Sequence, residues 1–381
     1  MKTKLLFALA VVVAVFVGCK KNNAGGESSP AKPEETINRL DKDGPANCYI
    51  VSKPGTYHFL PVKGNSNEPV GEIMSTIILW ASFGTSETPG VGDVISNCYL
   101  DSSVGDKPLI AFNAPSPLKN GNAVIAALGY GLEVLWSWHI WVCADYDPDA
   151  TAQVYYGNAG TVMDRNLGAT SATPGDVGAL GLMYQWGRKD PFLGGDGIKS
   201  SKRAASTATW PEPEAGAAGK NDQYARQNPM VFITKETDSY GDWNSDGSSI
   251  SLLWAKSKSI NDPCPHGWKV PEGYTDGLWQ TAMSTLSTPP AYKLDEDNCG
   301  VNFSGVFGDS DTIWYPTAGY LNYTSGVLND VGYSSYTWSV TNSDHMSFFF
   351  GFDISGGKVT SPVKDADHRA YGQSVRCVKE I

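Results

Sequence analysis

The stretch Val134–Val142, VLWSWHIWV, alternates. With a period of two, Trp136, Trp138, Ile140 and Val142 fall on one side of an extended strand. Leu135, Ser137, His139 and Trp141 fall on the other. A half-solvated strand carries polar residues on one face. Here both faces carry bulk, which predicts a central strand, or one whose second face meets another part of the chain. A row of aromatics is also what a sugar-stacking platform presents. The reading taken is core and contact, with His139 a core residue rather than a ligand.

Outward from this strand, 47–51 (NCYIV), 55–62 (GTYHFLPV), 75–83 (STIILWASF), 108–114 (PLIAFNA) and 121–128 (GNAVIAAL) are short apolar runs broken by Gly, Asn and Pro. That spacing predicts an antiparallel β-sandwich over residues 45–150. Aromatic content of 11%, with Gly 41 and Pro 23, fits a loop-rich, strand-rich chain rather than a helical one.

Residues 145–160 (DYDPDATAQVYYGNAG) form the expected hinge. Asp145, Asp147 and Asp149 alternate like calcium ligands, but Ala150 stands where a calcium loop needs glycine, so the reading is a solvated turn. Beyond it, 161–170 reads as a strand and 178–192 as a helical turn ended by Pro191. A polar insertion covers 194–228, and 275–286 reads as a helix. Strand-like runs follow at 313–322, 335–340, 346–354 and 372–378.

At the start, Lys2 and Lys4 precede an apolar run over 5–17, then Gly18 and Cys19. This predicts a bacterial export signal, and FVGC resembles a lipobox. The expectation is cleavage after residue 18 and lipidation of Cys19, each buried methylene adding about 0.8 kcal/mol of membrane affinity. Residues 19–44 are polar and rich in Gly, Ser and Pro, and read as a flexible tether. The net charge of −11 excludes nucleic acid and anionic membrane surfaces as partners.

Six cysteines follow Cys19: Cys48, Cys98, Cys143, Cys264, Cys299 and Cys377. An even number in an exported chain points to disulfides. In NDPCPHGWKVP, 261–271, Cys264 and His266 raise a metal site, a catalytic thiol or a disulfide as readings. No second Cys-x-x-Cys or His-x-His pair completes a zinc site, and His345 and His368 stand alone.

The motifs VMDRNLGAT, GLMYQWGRKDPF, NDPCPHGWKVP, YPTAGY, YTWSV and RAYGQSVRCV stand in the order of one family. Over 157–381 the chain resembles the Fibrobacter succinogenes major paralogous domain, found in lipoproteins and exported proteins of Bacteroidetes and Fibrobacteres. The preceding segment is similar to the β domain that often accompanies it. The resemblance implies an α+β C-type-lectin-like domain after an Ig-like sandwich, and a role in surface binding or adhesion. It also implies a disulfide between Cys264 and Cys377, with Trp268 packed and His266 an exposed turn residue. For the other four cysteines the favoured pairing is Cys98 with Cys143, leaving Cys48 and Cys299 as free buried thiols. The Glu-Pro-Asn and Gln-Pro-Asp triplets of calcium-dependent sugar-binding lectins are absent, as are the paired active cysteines of formylglycine-generating enzymes.

One pattern competes. DWNSDG, 242–247, opens like a calcium loop, which makes Asp242, Asn244 and Asp246 candidate metal ligands. Position twelve is Leu253 instead of a bidentate acid, so the loop is incomplete; no other cofactor is expected. No Gly-x-Ser-x-Gly, His-Glu-x-x-His or P-loop is present. Asp164, Arg165, Arg369 and Arg376 are read as one structural ion-pair network where the first and last strands meet. The expectation is a non-enzymatic outer-membrane lipoprotein, surface-exposed or periplasm-facing, that binds a glycan or a protein. A structural subunit of a surface polymer such as a fimbria, and an enzyme of unrecognised type, are the alternatives.

Overall fold

The computed structural model describes residues 37–235, 241–246, 252–284, 292–343, 346–354 and 365–381. Cys19 and most of the tether lie outside them. Eight strands come first: β1 (Asn38–Arg39), β2 (Cys48–Val51), β3 (Gly55–Phe59), β4 (Ser75–Ser82), β5 (Ser96–Asp101), β6 (Leu109–Ala114), β7 (Gly121–Leu128) and β8 (Val134–Val142). They make two four-stranded sheets, ordered β1-β3-β6-β5 and β2-β8-β7-β4. Trp136, Trp138, Ile140 and Val142 of β8 enter one apolar core with Phe59, Phe112 and other residues of both sheets.

The opposite face of β8 and β7 explains the double-sided bulk. Trp141 and Val124 enter a second core with Met163, Leu182, Trp254 and Trp338 from the later chain. The junction is also hydrogen-bonded. Trp141 Nε1 donates to the Ala169 carbonyl (3.1 Å), and Asn122 Nδ2 to that of Gly168 (2.8 Å). His139 Nε2 lies 2.8 Å from Asn122 Oδ1 and burial pushes its imidazole down to about 3, so it stays neutral.

The pairing is not purely antiparallel. β2 runs parallel to β8, and β1 parallel to β3. Parallel neighbours need a long crossover, and the excursion through β3 to β7 supplies one between β2 and β8. Residues of the 194–228 insertion cover the exposed edge at β4: Thr207 N donates to Ala81 O (2.9 Å) and Ser82 Oγ to Ala205 O (2.6 Å). Capping an edge this way removes a template for unwanted strand addition.

In the later chain the first and last strands meet, with Gly160–Val162 beside Val378–Lys379. Trp268–Lys269 pairs on the other side of the final strand. A long hairpin, Ser334–Ser343 with Met346–Asp353, is flanked by Ala366–His368. The expected helix within 275–286 is present as Leu278–Ser284, and its Trp279 stacks on Phe350 at 5.3 Å. The expected helical turn over 178–192 is not a helix. Leu182–Gln185 is a strand, buried at every residue, between Gly181 (φ +75°) and Gly187 (φ +84°). Those left-handed glycines break a helix, and pairing with Gly372–Gln373 and Phe192–Leu193 overrides local preference. The class is mainly β. No helix among the described residues is long and apolar enough to cross a membrane.

Candidate functional site

The knuckle at 261–271 is a closed structural joint. Cys264 and Cys377 are disulfide-bonded, with both residues fully buried. Asp262 accepts the backbone N–H of Cys264 and of Val270, each at 2.9 Å, and the Lys258 ammonium at 2.8 Å. Lys258 also donates to the carbonyls of Cys264 (2.9 Å) and Trp268 (2.5 Å). Asn47 reaches across from the first sheets to the Asp262 carbonyl at 2.9 Å. His266 is exposed, and its ring lies over Gly44 so closely that a Cβ there would sit 2.3 Å away.

The pairing of Cys98 with Cys143 is not formed; both are unpaired. Cys98 packs on the core between the two sheets, whereas Cys143 belongs to the core on the other side. Its Sγ lies 3.6 Å from Arg165. Cys48 and Cys299 are free and buried.

The four charged residues expected to form one network divide. Arg165 pairs with Asp164 (2.8 Å), and Arg369 with Asp242 (3.1 Å). Arg376 donates to Asn166 Oδ1 (3.1 Å) and lies over the Tyr315 ring (3.7 Å). The partition follows the folding of the chain: Asp242 arrives from a loop that the sequence does not link to either strand. This also bears on the calcium pattern. Asp242 is buried against Arg369, its Oδ1 accepts the Asn244 N–H, and Asn244 Oδ1 accepts the Asp246 N–H. Two of the three candidate ligands therefore spend oxygens on protein donors, and Asp246 is exposed. Gly247 lies outside the described residues. Among the described residues no group of three His, Cys, Asp or Glu side chains could hold a metal ion.

Among the described residues one hydroxyl bonded to an ionisable pair is that of Ser137. Its Oγ donates to Asp190 (2.6 Å) and accepts from Lys189 Nζ (2.5 Å). Burial pushes the Lys189 ammonium down and Asp190 offsets part of that. All three residues are buried, so no substrate reaches them.

The face that reaches solvent with recognition chemistry lies elsewhere. Tyr320 meets Tyr336 at 5.5 Å and Tyr371 at 5.4 Å, both edge-on. Tyr371 meets Tyr323 at 4.7 Å, and Tyr323 meets the His368 ring at 4.7 Å. All five rings are half-buried, so each keeps part of its surface open. Tyr320 comes from a strand paired with Gly372, Tyr336 from the long hairpin, and His368 and Tyr371 from the bend before the last strands.

Three carboxylates border the rings. Burial, then the charge of Asp330, pushes the Tyr320 phenol up. Burial and then Asp353 push Tyr336 up to about 12. Burial and then Asp367 raise Tyr371. Asp367 itself is pushed up to about 7 by burial, against the opposing His368 N–H at 2.8 Å. Gln373 is fully buried, with Nε2 3.4 Å from Asp367 and Oε1 without a hydrogen-bond partner. Half-open aromatic rings offer apolar faces with polar hydroxyl tips to whatever contacts this surface. Motif reading missed this face because its residues come from three separated segments. The available signal was the tyrosines inside YPTAGYLNY, YSSYTW and HRAYGQ. No family model, curated protein or solved structure matches the chain.

Proposed function

We propose that this chain is a cell-envelope lipoprotein, anchored through Cys19, that binds a glycan without catalysing a reaction. In this reading the two early sheets are an Ig-like sandwich that serves as a stalk. The later chain is a C-type-lectin-like domain of the Fibrobacter succinogenes major paralogous kind. The observation that carries the reading is the tyrosine face: Tyr320, Tyr323, Tyr336 and Tyr371 side by side and half-open, bordered by Asp330, Asp353 and Asp367. Aromatic faces take the apolar C–H side of a sugar ring, and carboxylates accept its hydroxyls.

The test is a glycan array probed with detergent-solubilised protein, alongside Tyr320→Ala and Tyr371→Ala. The expected result is a restricted set of glycan ligands whose signal each substitution lowers at least tenfold. Binding that survives both substitutions, or capture of proteins and no glycan, sinks the reading. A Cys19→Ser chain that stays acylated and membrane-bound sinks the anchor.

A further inference from the structure

The core between the two early sheets is open at one end. Where β3 leads into β4 and β5 into β6, a cavity of about 520 Å³ lies among Leu60, Val62, Ile73, Leu100, Lys107 and Pro108. Ile73 and Leu100 also pack on the inter-sheet core, so the cavity continues that core outward. Its size and apolar walls are those of a small-molecule site. One wall, the loop 61–70, is braced. Val62 bridges Pro69, Lys63 N donates to the Glu68 carbonyl (2.8 Å), and Val70 N to that of Pro61 (3.2 Å). Pro61 and Pro69 fix φ at two points of the loop. Asn65 Nδ2 ties it to the later chain through the carbonyls of Ser259 (2.7 Å) and Asp262 (3.0 Å). Moving this wall inward breaks those bonds, so the concavity is preformed and little ordering entropy is lost when a ligand enters.

Two charged side chains of opposite sign line the cavity, and they differ in what they already hold. Glu72 accepts the Tyr130 hydroxyl at 3.0 Å. Lys107 is exposed and forms no ion pair among the described residues. The free charge at this apolar cavity is therefore a cation. We propose that the cavity binds an aliphatic monocarboxylate, a fatty acid. Its tail lies against Leu60, Val62, Ile73 and Leu100, where burial of apolar surface drives binding. Its carboxylate accepts a charge-assisted hydrogen bond from the Lys107 ammonium. This site is separate from the tyrosine face and does not rest on the glycan reading.

The experiment is photo-crosslinking of the full-length protein in lipid nanodiscs. The probe is palmitic acid carrying a diazirine and a terminal alkyne, and the labelled peptides are mapped by mass spectrometry. The label is expected to concentrate on residues 60–73 and 100–108 and to be displaced by excess unlabelled palmitate. The matching fatty alcohol is expected to label the same residues about fivefold less, the step of one exposed charge contact. Lys107→Ala is expected to lower labelling by the acid by about the same factor and to leave labelling by the alcohol unchanged. Lys107 is exposed, so its removal leaves the core intact, and displacement by palmitate tests the parent protein without any substitution. Label absent from both segments, or undiminished by palmitate, overturns the site. Equal labelling by acid and alcohol, or by parent and Lys107→Ala, overturns the assignment of a carboxylate ligand.

Discussion

Reducing the disulfide between Cys264 and Cys377 is expected to destabilise the fold by an amount that the structure sets. The bond spans a sequence separation of 113 and ties the knuckle to the final strand. In the chain-entropy account, closing a loop of that length removes about 4.8 kcal/mol from the unfolded state at 25 °C. That is large against a usual total of about 5–15 kcal/mol. Residues 37–381 form one compact unit. At about 2.1 cal/mol/K per residue its unfolding entropy is about 0.7 kcal/mol/K, so Tm is expected to fall by about 7 °C. The assay is scanning calorimetry with and without reductant, with the number of reduced thiols counted by mass spectrometry. His266→Ala is the control, expected within about 0.5 kcal/mol because the residue is exposed and only its ring touches Gly44. A Tm unchanged within about 1 °C when both thiols are shown reduced refutes the reasoning. A non-reducing peptide map that links Cys264 to another cysteine refutes it as well.

Trp141→Ala is expected to cost about 3–5 kcal/mol in urea unfolding, because the indole fills the core shared by the early sheets and the later chain; a loss below about 1 kcal/mol contradicts that placement. Asp242→Ala removes the carboxylate paired with buried Arg369 and is expected to cost about 3–5 kcal/mol, with calcium leaving the Tm of the parent protein unchanged. A calcium-induced rise that the substitution abolishes restores the metal reading. Asp367 keeps its proton to about pH 7 in the fold and loses it near 3.8 when unfolded, so it lowers stability as pH rises between those values. Asp367→Asn is therefore expected to be more stable than the parent at pH 8 and equal to it below about pH 4. His139 contributes a slope of the opposite sign over pH 4–6.5, because it must gain a proton on unfolding there, and His139→Gln should remove that contribution. Urea midpoints across pH measure both, and coincident curves for parent and variant at pH 8 would count against the burial of Asp367.

Local pattern alone decided a good deal. The two-residue period and double-sided bulk of 134–142 already state that β8 has a core on each side, because side-chain direction along a strand depends only on backbone geometry. The helix at Leu278–Ser284 was legible for a similar reason: Leu278, Trp279 and Ala282 share one face. The run at Leu182–Gln185 was not, since its neighbours in the sheet lie far along the chain and override its helical look. Counting cysteines indicated disulfides but could not divide them, because Cys98 and Cys143 are set on opposite sides of a sheet by strand direction and packing. The tyrosine face was the least visible. Each tyrosine reads locally as ordinary strand composition, and only the meeting of Tyr320, Tyr336 and Tyr371 through long-range pairing makes a surface of them. Sequence periodicity reports which way a residue points. Which residues it meets depends on contacts between distant segments, and those are made only when the chain closes on itself.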